Sequence, residues 1–366
     1  MLEDLLFSVK DNRRKQGQRY ELGHILLFSV FAILCKADSY RKIHSFIKRH
    51  YHILNKLYHL NWKRVPAYTT IRHIIQGVAS AELERSFRPF SCYLINQCAN
   101  KRYIALDGKT LRGSFDHLND QKAIQVFSAF CSDNNIIIAH EEIEQKTNEI
   151  PTAQKLLKAL GISNYICTLD AIHCQTKTLE TVVATNNQAI IQVKENQKTL
   201  LNDCINMSAT YSPIDNYQEP VKIQRNRIES RTIEIFENTD FSDKDKWNLV
   251  QSIIKVDRKR QTFDTKTKSF KCSDEISFYI ATTALDAKQC CEVIRLHWSI
   301  ENKNHYVRDV SMNEDNSRIR INPHIFVKLR SFALNMLRAN AKTNVQLELF
   351  ENCMNFTQIL NYVGIK

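Results

Sequence analysis

The first 95 residues repeat apolar side chains at a spacing of three and four positions, the pattern of helices that each bury one face. Four segments show it, at 21–37, 39–60, 69–78 and 81–98. The most apolar stretch, 25–35, is too short to cross a bilayer and has no signal-peptide cleavage pattern. We therefore predict an all-helical N-terminal domain over residues 1–95, with this stretch as a buried helix.

From residue 101 the pattern changes to short runs of β-branched and apolar residues, which predict strands. Three strands come first, and helices then alternate with two further strands. The predicted strands lie near 102–108, 124–131, 136–143, 164–171 and 189–196, and the helices near 150–161, 176–187 and 197–206. This order is that of an RNase H-like sheet flanked by helices, so the predicted fold class is α/β.

Residues 209–283 interrupt that order with alternating Thr- and Ile-rich runs and basic hairpin-like links, which predict a β-rich insertion. Helical patterns return after it. The predicted organisation is an N-terminal domain at 1–95, the first part of an RNase H-like catalytic core at 96–208, the insertion at 209–283, the last part of the core at 284–345 and a C-terminal tail at 346–366.

The charge balance indicates a polyanionic partner. The chain carries 51 Lys and Arg against 39 Asp and Glu, a formal charge of +12, and residues 1–90 hold about twice as many basic as acidic residues. Basic side chains that face phosphates release condensed counterions and gain affinity. The N-terminal domain is therefore predicted to contact DNA.

Composition also limits the class of protein. The apolar fraction of 43% and charged fraction of 25% are those of a folded globular chain. The 11 cysteines form no CxxC pair for zinc and favour reduced thiols in a cytoplasmic protein. Seven glycines argue against a phosphate-cradling loop.

A helix-turn-helix interpretation applies to residues 65–78. Pro66 and the threonines Thr69 and Thr70 mark a helix start that places Arg72 and His73 early in the helix, where a recognition helix meets base edges. The alternative is a packing helix with a solvated arginine.

Three acids could carry the chemistry. Asp107 ends the first predicted strand and Asp170 the fourth, each after an apolar, β-branched run, and these two strands are adjacent in an RNase H-like sheet. Glu301 lies in an amphipathic helical pattern. Carboxylates on rigid elements hold divalent ions and leave positions for water and phosphate, and two ions about 3.5 to 4 Å apart support phosphodiester cleavage. Taken singly, Asp107 could mark a turn, Asp170 could cap a helix and Glu301 could be solvated. Together they predict a two-metal nuclease site.

Several segments then point to a family. They are LDGKTLRGS, QKTNEIPTAQKLLKAL, LDAIHCQTKTLE, QVKENQKTLL, RIESRTIEIF, RLHWSIENKNHYVRDVSMNEDNSRIR and LRSFALNMLR. From about residue 5 to residue 340 the chain resembles the H-repeat-associated, ISAs-type insertion-sequence transposases of the DDE superfamily. The resemblance implies an RNase H-like core, a β-rich insertion before the last acid, and magnesium-dependent cutting and joining of DNA ends.

Carried over by motif, Asp107 is the first acid, Asp170 the second and Glu301 the third. Related transposases place a basic residue seven positions after the glutamate, on the same helical face, to hold a DNA-end phosphate, and Arg308 occupies that position. A surface ion pair of Arg308 with Glu301 or Asp309 is the alternative. The relatives' Tyr and Arg, seven and four positions before the glutamate, are replaced here.

The residues in those places are Ile294 and His297, with Arg295 nearby, so the upstream phosphate contacts depart from the family pattern. Further DNA-contact candidates follow the acids along the chain. They are Lys109 and Arg112 in a turn after Asp107, Lys194 at a strand end, and Trp298, which could stack a flipped base or pack in the core.

The resulting prediction is a cytoplasmic DDE transposase that uses two Mg²⁺ ions, with Mn²⁺ able to substitute. It binds terminal inverted repeats in double-stranded DNA, frees a 3′-hydroxyl by hydrolysis and joins that end to target DNA. Pairing two element ends implies a homo-oligomer, at least a dimer, on DNA. The alternatives are an RNase H-like nuclease without strand transfer and an inactive or domesticated DNA-binding copy.

Overall fold

The computed structural model describes residues 1–96, 103–115, 122–143, 149–224, 226–237, 240–340 and 343–365. The predicted domain boundary between residues 95 and 96 lies at the end of the first described range. Residues 145–148, which belong to the QKTNEIPTAQKLLKAL segment, lie outside the described residues. The chain divides into two compact units. The first unit comprises Met1–Lys101, Gly108–Asn148 and Ile300–Lys366, and the second comprises Arg102–Asp107 and Glu149–Ser299.

Helices dominate the first unit, as the N-terminal pattern predicted. They are α1 (Leu2–Phe7), α2 (Leu22–Leu34), α3 (Tyr40–Tyr58), α4 (Tyr68–Gln76) and α5 (Ser80–Asn96). Helix α2 is buried on nearly every face, which confirms the buried-helix prediction for the apolar stretch. Helix α4 begins after Ala67 without a side-chain cap, so Thr69 and Thr70 lie in its first turn and do not cap it.

The rest of the first unit combines strands with C-terminal helices. The second half of β1 (Tyr103–Leu111) belongs to it, with the antiparallel pair β2 (Ile124–Cys131) and β3 (Ile136–Ile143) in the order β3-β2-β1. Its helices from later in the chain are α10 (Tyr306–Val310), α11 (Pro323–Asn340) and α12 (Val345–Met354). The predicted C-terminal tail is folded, since the Asn352 side chain donates to the Leu34 carbonyl at 3.2 Å and Phe356 packs edge-on against Phe46.

The second unit is built on a mixed sheet. Its strands are the first half of β1, β4 (Ile166–Leu169), β5 (Gln188–Val193), β6 (Asp215–Gln218), β7 (Lys222–Gln224), β8 (Arg227–Glu237), β9 (Ser252–Asp264) and β10 (Ser269–Ala281). The order is β1-β4-β5-β10-β9-β8-β6, with β7 also paired to β8. Four helices accompany it, α6 (Glu149–Ala159), α7 (Thr176–Ala184), α8 (Lys198–Thr210) and α9 (Ala287–His297).

Strands β1, β4 and β5 run parallel, and β10 pairs antiparallel to β5 with Phe278 opposite Val193. The predicted insertion is therefore strand-rich, and its strands extend the sheet that carries β4. The α/β class and the helical N-terminal region are confirmed. The RNase H-like classification stays a prediction.

Candidate active site

The first two acids lie side by side at the point where the parallel pairing of β1 with β4 ends. Leu106 of β1 pairs with Leu169 of β4, so the residues that follow, Asp107 and Asp170, are level with each other. Residues level across parallel strands project to the same face of the sheet. The sequence prediction that these two acids are neighbours agrees with this register.

One detail of that prediction is wrong. Strand β1 does not end at Asp107 but continues to Leu111; only its pairing with β4 stops at Leu106. Lys109 consequently lies within the strand, and Arg112 begins a short 3₁₀ turn, Arg112–Ser114, so the two do not share a turn after Asp107.

Asp170 is held by a histidine from α9. His297 Nε2 lies 3.2 Å from Asp170 Oδ1, and His297 Nδ1 lies 2.9 Å from Thr168 Oγ1. Asp170 has extended backbone angles, so it continues the pleat of β4 and projects on the same side as Thr168, which lets one imidazole reach both. Asp170 begins the 3₁₀ turn Ala171–His173 but makes no side-chain cap bond.

The electrostatic surroundings favour the charged form of Asp170. The hydrogen bond from His297 lowers its pKa most, burial opposes this, and the nearby charges of His297, Lys194 and His173 lower it further. The side chain of Asp170 is about half exposed, at 50%, so solvent and a ligand can reach it.

An open groove begins at Asp170 in the second unit. Lys194 follows β5 there with an exposed side chain, and Ile172 and Ile276 are 48% and 58% exposed. Among the described lining residues, the groove combines three carboxylates, those of Asp170, Glu195 and Glu275, with one basic side chain and apolar walls. A phosphate contact in this groove would therefore fall to Lys194. The sequence-based interpretation of Lys194 as a DNA contact stays a prediction.

Glu301 belongs to the first unit and is exposed. It lies in a π-helical turn, Ile300–His305, between α9 and α10. Single π turns inside helices are rare and occur often at functional sites. The sequence pattern predicted α-helical geometry around Glu301, and the structure has this π turn there instead.

The π turn explains why Arg308 is not where the helical pattern placed it. One extra residue in a helix rotates the following residues by about 100° relative to α-helical geometry. Arg308 is 1% exposed, and its Nη2 donates to Glu314 Oε1 at 2.7 Å. Neither the phosphate-contact interpretation nor a surface ion pair describes this position, because Arg308 is a buried partner of Glu314.

Lys109 joins the same buried cluster in the first unit. Its Nζ lies 3.0 Å from Glu314 Oε2 and also bonds the carboxylate of Asp309. Arg330 Nη1 lies 3.7 Å from Glu314 Oε1. A side chain that is 8% exposed and paired with two carboxylates does not face the scissile strand, so the DNA-contact interpretation of Lys109 is wrong in this structure.

The other candidates are placed as follows. Arg112 is 82% exposed near Asp315, and Arg295 pairs with Glu219 and Glu229, which leaves Arg295 in an intramolecular ion cluster. Trp298 follows α9, is 39% exposed and has its ring 5.8 Å from the ring of His297, and its stacking role stays a prediction.

In α4, Arg72 is partly buried with its Nε enclosed, whereas His73 is exposed. Of the two side chains in the recognition-helix interpretation, only that of His73 is therefore accessible to a base edge.

In the second unit, His173 is buried and its Nε2 lies 3.2 Å from Glu149 Oε1. Within the described ranges no group of three or more His, Cys, Asp or Glu side chains is close enough to hold a metal ion.

Two features of the structure were missed by the sequence patterns. Glu314 gave no signal, because its cationic partners come from β1, α10 and α11. The exposed face of α3 could have been found, because the helix has five basic residues and no acidic one.

Comparisons with known proteins agree on one family. The family model of the transposase DDE domain matches residues 99–336, and the model of the DDE_Tnp_1-associated region matches residues 4–91. The chain is 29% identical to YncI of Escherichia coli O157:H7 over 92% of this chain and 87% of that one. It is 27% identical to YhhI of Escherichia coli strain K12, over 90% of this chain and 88% of that one.

The names of both relatives class them as transposases, and that of YhhI adds the H-repeat association. A solved piggyBac transposase synaptic complex with hairpin DNA superimposes with a TM-score of 0.46 at 8% identity, over 98% of this chain and 80% of that one, which is too low to support a conclusion. No helix among the described residues is long and apolar enough to span a membrane. The extent of the family-model match and the curated relatives show that the chain belongs to the H-repeat-associated group of the transposase DDE family.

Proposed function

We propose that this protein binds the terminal inverted repeats of an insertion sequence and catalyses metal-dependent cleavage and strand transfer of the element ends. The observation that carries the proposal is the register of β1 and β4, which sets Asp107 and Asp170 level at one edge of the second unit. We assign Glu301 as the third acid, on the position that matches the family motif. The protein would act on DNA in the cytoplasm.

The residues fit a hard divalent cation. Carboxylate oxygens are the preferred ligands of Mg²⁺, and this ion is commonly held by one or two carboxylates plus substrate phosphate. Asp170 supports that use, because it is ionised and half exposed and is oriented by His297. A pair of Mg²⁺ ions, or Mn²⁺ in their place, would stabilise the charge on the attacking and leaving oxygens of the phosphodiester.

The protein's own residues would order the reaction. Asp107 and Asp170 would bind the metal ions from the place where the pairing of β1 with β4 ends, and His297 would keep the Asp170 carboxylate in one orientation. Lys194 and the groove beside Asp170 would receive the DNA strand. Water would attack first, and the freed 3′-hydroxyl would attack target DNA second, in the same site.

Cleavage and joining of a labelled duplex that carries the element's own ends tests this proposal. Wild type with Mg²⁺ or Mn²⁺ is expected to give nicks and joined products, and Glu301→Gln is expected to give neither. The matched control is Glu351→Gln, an exposed glutamate of α12 that should leave both products unchanged.

Two other outcomes would each favour an alternative function. Cleavage without joining would mean an RNase H-like nuclease. DNA binding without any metal-dependent product would mean an inactive or domesticated copy. A change of oligomeric state on paired ends, measured by light scattering, would test the expected homo-oligomer.

A further inference from the structure

Helix α3 presents a continuous basic face to solvent. Its 19 residues include five Lys and Arg and no Asp or Glu. The apolar face is buried, with Ile43, Ile47 and Leu54 fully enclosed. The opposite face is exposed and holds Arg41, Ser45, Lys48, Arg49, His52 and Lys56. We call these six residues the α3 basic face.

The spacing places this face on one line. Positions 41, 45, 48, 49, 52 and 56 recur every three or four residues, so they share one side of the helix. At 1.5 Å rise per residue the line is roughly 22 Å long. Duplex DNA carries one phosphate charge per about 1.7 Å of its axis, so a line of this length can meet several phosphates.

Within the described ranges, no lysine or arginine of the α3 basic face forms an ion pair with a carboxylate. Lys42, beside the face, pairs with Asp38 at 2.6 Å, and it is the only lysine or arginine of α3 in an ion pair among the residues that the structure describes. Arg41 lies over the ring of Tyr68, 5.4 Å from its centroid. An anionic ligand would therefore relieve the mutual repulsion of these charges.

Neighbouring histidines register the positive field. The pKa of His44 is lowered by burial and by the charge of Lys48, and the pKa of His50 is lowered by burial and by the charge of Arg49. Burial is the larger cause of both shifts, and the neighbouring cations act in the same direction. The contributions of Lys48 and Arg49 agree with the excess of positive charge seen on this face.

The geometry favours DNA over a lipid surface. A membrane-binding amphipathic helix needs its apolar side free to enter the bilayer. Most of that side of α3 is packed in the protein core, and only Ile53 and Leu57 of its aliphatic residues are exposed, at 41% and 45%. Polar phosphate contact along a helix flank needs only the exposed cations. Helix α4, by contrast, keeps Arg72 partly buried.

We propose that the α3 basic face binds the phosphate backbone of duplex DNA and supplies sequence-independent affinity. This proposal rests on the proposed function, because it names how the DNA substrate is held. It assigns the positioning of DNA to α3, whereas the sequence pattern had pointed to Arg72 and His73 of α4.

The test is salt-dependent binding of the full-length protein to fluorescent duplexes, with EDTA present so that no cleavage occurs. The variant is Lys48→Gln/Arg49→Gln/Lys56→Gln. Each lost phosphate contact should reduce the slope of log K against log salt by about 0.9, so the triple variant should lose roughly 2.7. Affinity near 0.1 M salt should fall on the order of 10²-fold, equally for element ends and for random duplexes.

The matched control removes the same charge elsewhere. Lys158→Gln/Lys177→Gln/Lys288→Gln changes three scattered, exposed lysines of the second unit. This control should keep most of the wild-type slope, and far-ultraviolet circular dichroism should show both variants folded.

Equal slopes for the two triple variants would overturn the proposal, because net charge alone would then explain the loss. A triple variant at α3 that binds DNA like wild type but no longer binds anionic vesicles would overturn it in favour of a membrane surface. Because binding is measured without metal, failure of cleavage in the earlier assay would leave this result intact.

Discussion

Glu314 is a buried carboxylate on which three cationic side chains converge, and we predict that Glu314→Gln destabilises the protein by about 4 kcal/mol. Its side chain is 1% exposed. Arg308 Nη2, Lys109 Nζ and Arg330 Nη1 lie 2.7, 3.0 and 3.7 Å from its oxygens. Glutamine keeps the shape and removes the charge.

The size of the effect follows from what remains after the substitution. Removing one partner of a buried ion pair costs about 3–5 kcal/mol, because a buried charge is left uncompensated. Lys109 would still form its ion pair with Asp309, so the charge of Lys109 would be only partly uncompensated. Arg308 is 1% exposed and would keep only a neutral acceptor, which places the expected loss near the middle of that range.

Urea unfolding followed by far-ultraviolet circular dichroism measures this loss. With an m value of about 3 kcal/mol/M, a 4 kcal/mol loss lowers the midpoint by roughly 1.3 M. The control is Glu82→Gln, the same substitution at the more exposed Glu82–Arg85 pair, where a change below about 1 kcal/mol is expected. A midpoint for Glu314→Gln within 0.3 M or so of this control would refute the reasoning.

The same carboxylate gives a pH dependence with a definite sign. The charges of Arg308, Lys109 and Arg330 hold the pKa of Glu314 far below its usual range, although burial alone would raise it. A lowered pKa in the folded state means that the stabilisation is complete above the unfolded pKa, about 4.3, and is lost as the pH falls below it. Glu314→Gln should therefore lose less stability than wild type between pH 5 and pH 3, in round terms, when the two are compared by urea titration.

Three further predictions address single side chains. Gly113→Ala should lose about 1–3 kcal/mol in urea unfolding, because a Cβ would lie 2.2 Å from the Ser317 carbonyl oxygen, whereas Gly17→Ala, with 3.8 Å to its nearest neighbour, should be close to neutral. His297→Ala should raise the metal concentration for half-maximal cleavage about 10–100-fold, and an unchanged value would contradict an orienting role. Asp170→Ala should abolish cleavage yet lose under about 1 kcal/mol of stability, because the carboxylate is half exposed; a larger loss by urea titration would make it structural.

Asp107 and Asp170 show how much of the candidate site local sequence patterns can predict. An apolar, β-branched run predicts a strand, and the order of elements predicts which strands are neighbours, so Asp107 and Asp170 could be placed side by side from the residues alone. The level register then agrees with that prediction. The continuation of β1 past Asp107 was not predicted, because Asp-Gly is a common turn signal and only tertiary pairing can override it.

The N-terminal helices were also determined by the sequence itself, since a buried face repeats every three or four residues whatever its partner. The positions of Arg308 and Lys109 could not be predicted from such periodicity. The π turn after α9 rotates Arg308 into the core, and Lys109 meets its carboxylate Asp309 200 residues later. Periodicity encodes which face is buried, but the partner of a buried charge is set by long-range packing, so only the tertiary structure decided which cations are available to DNA.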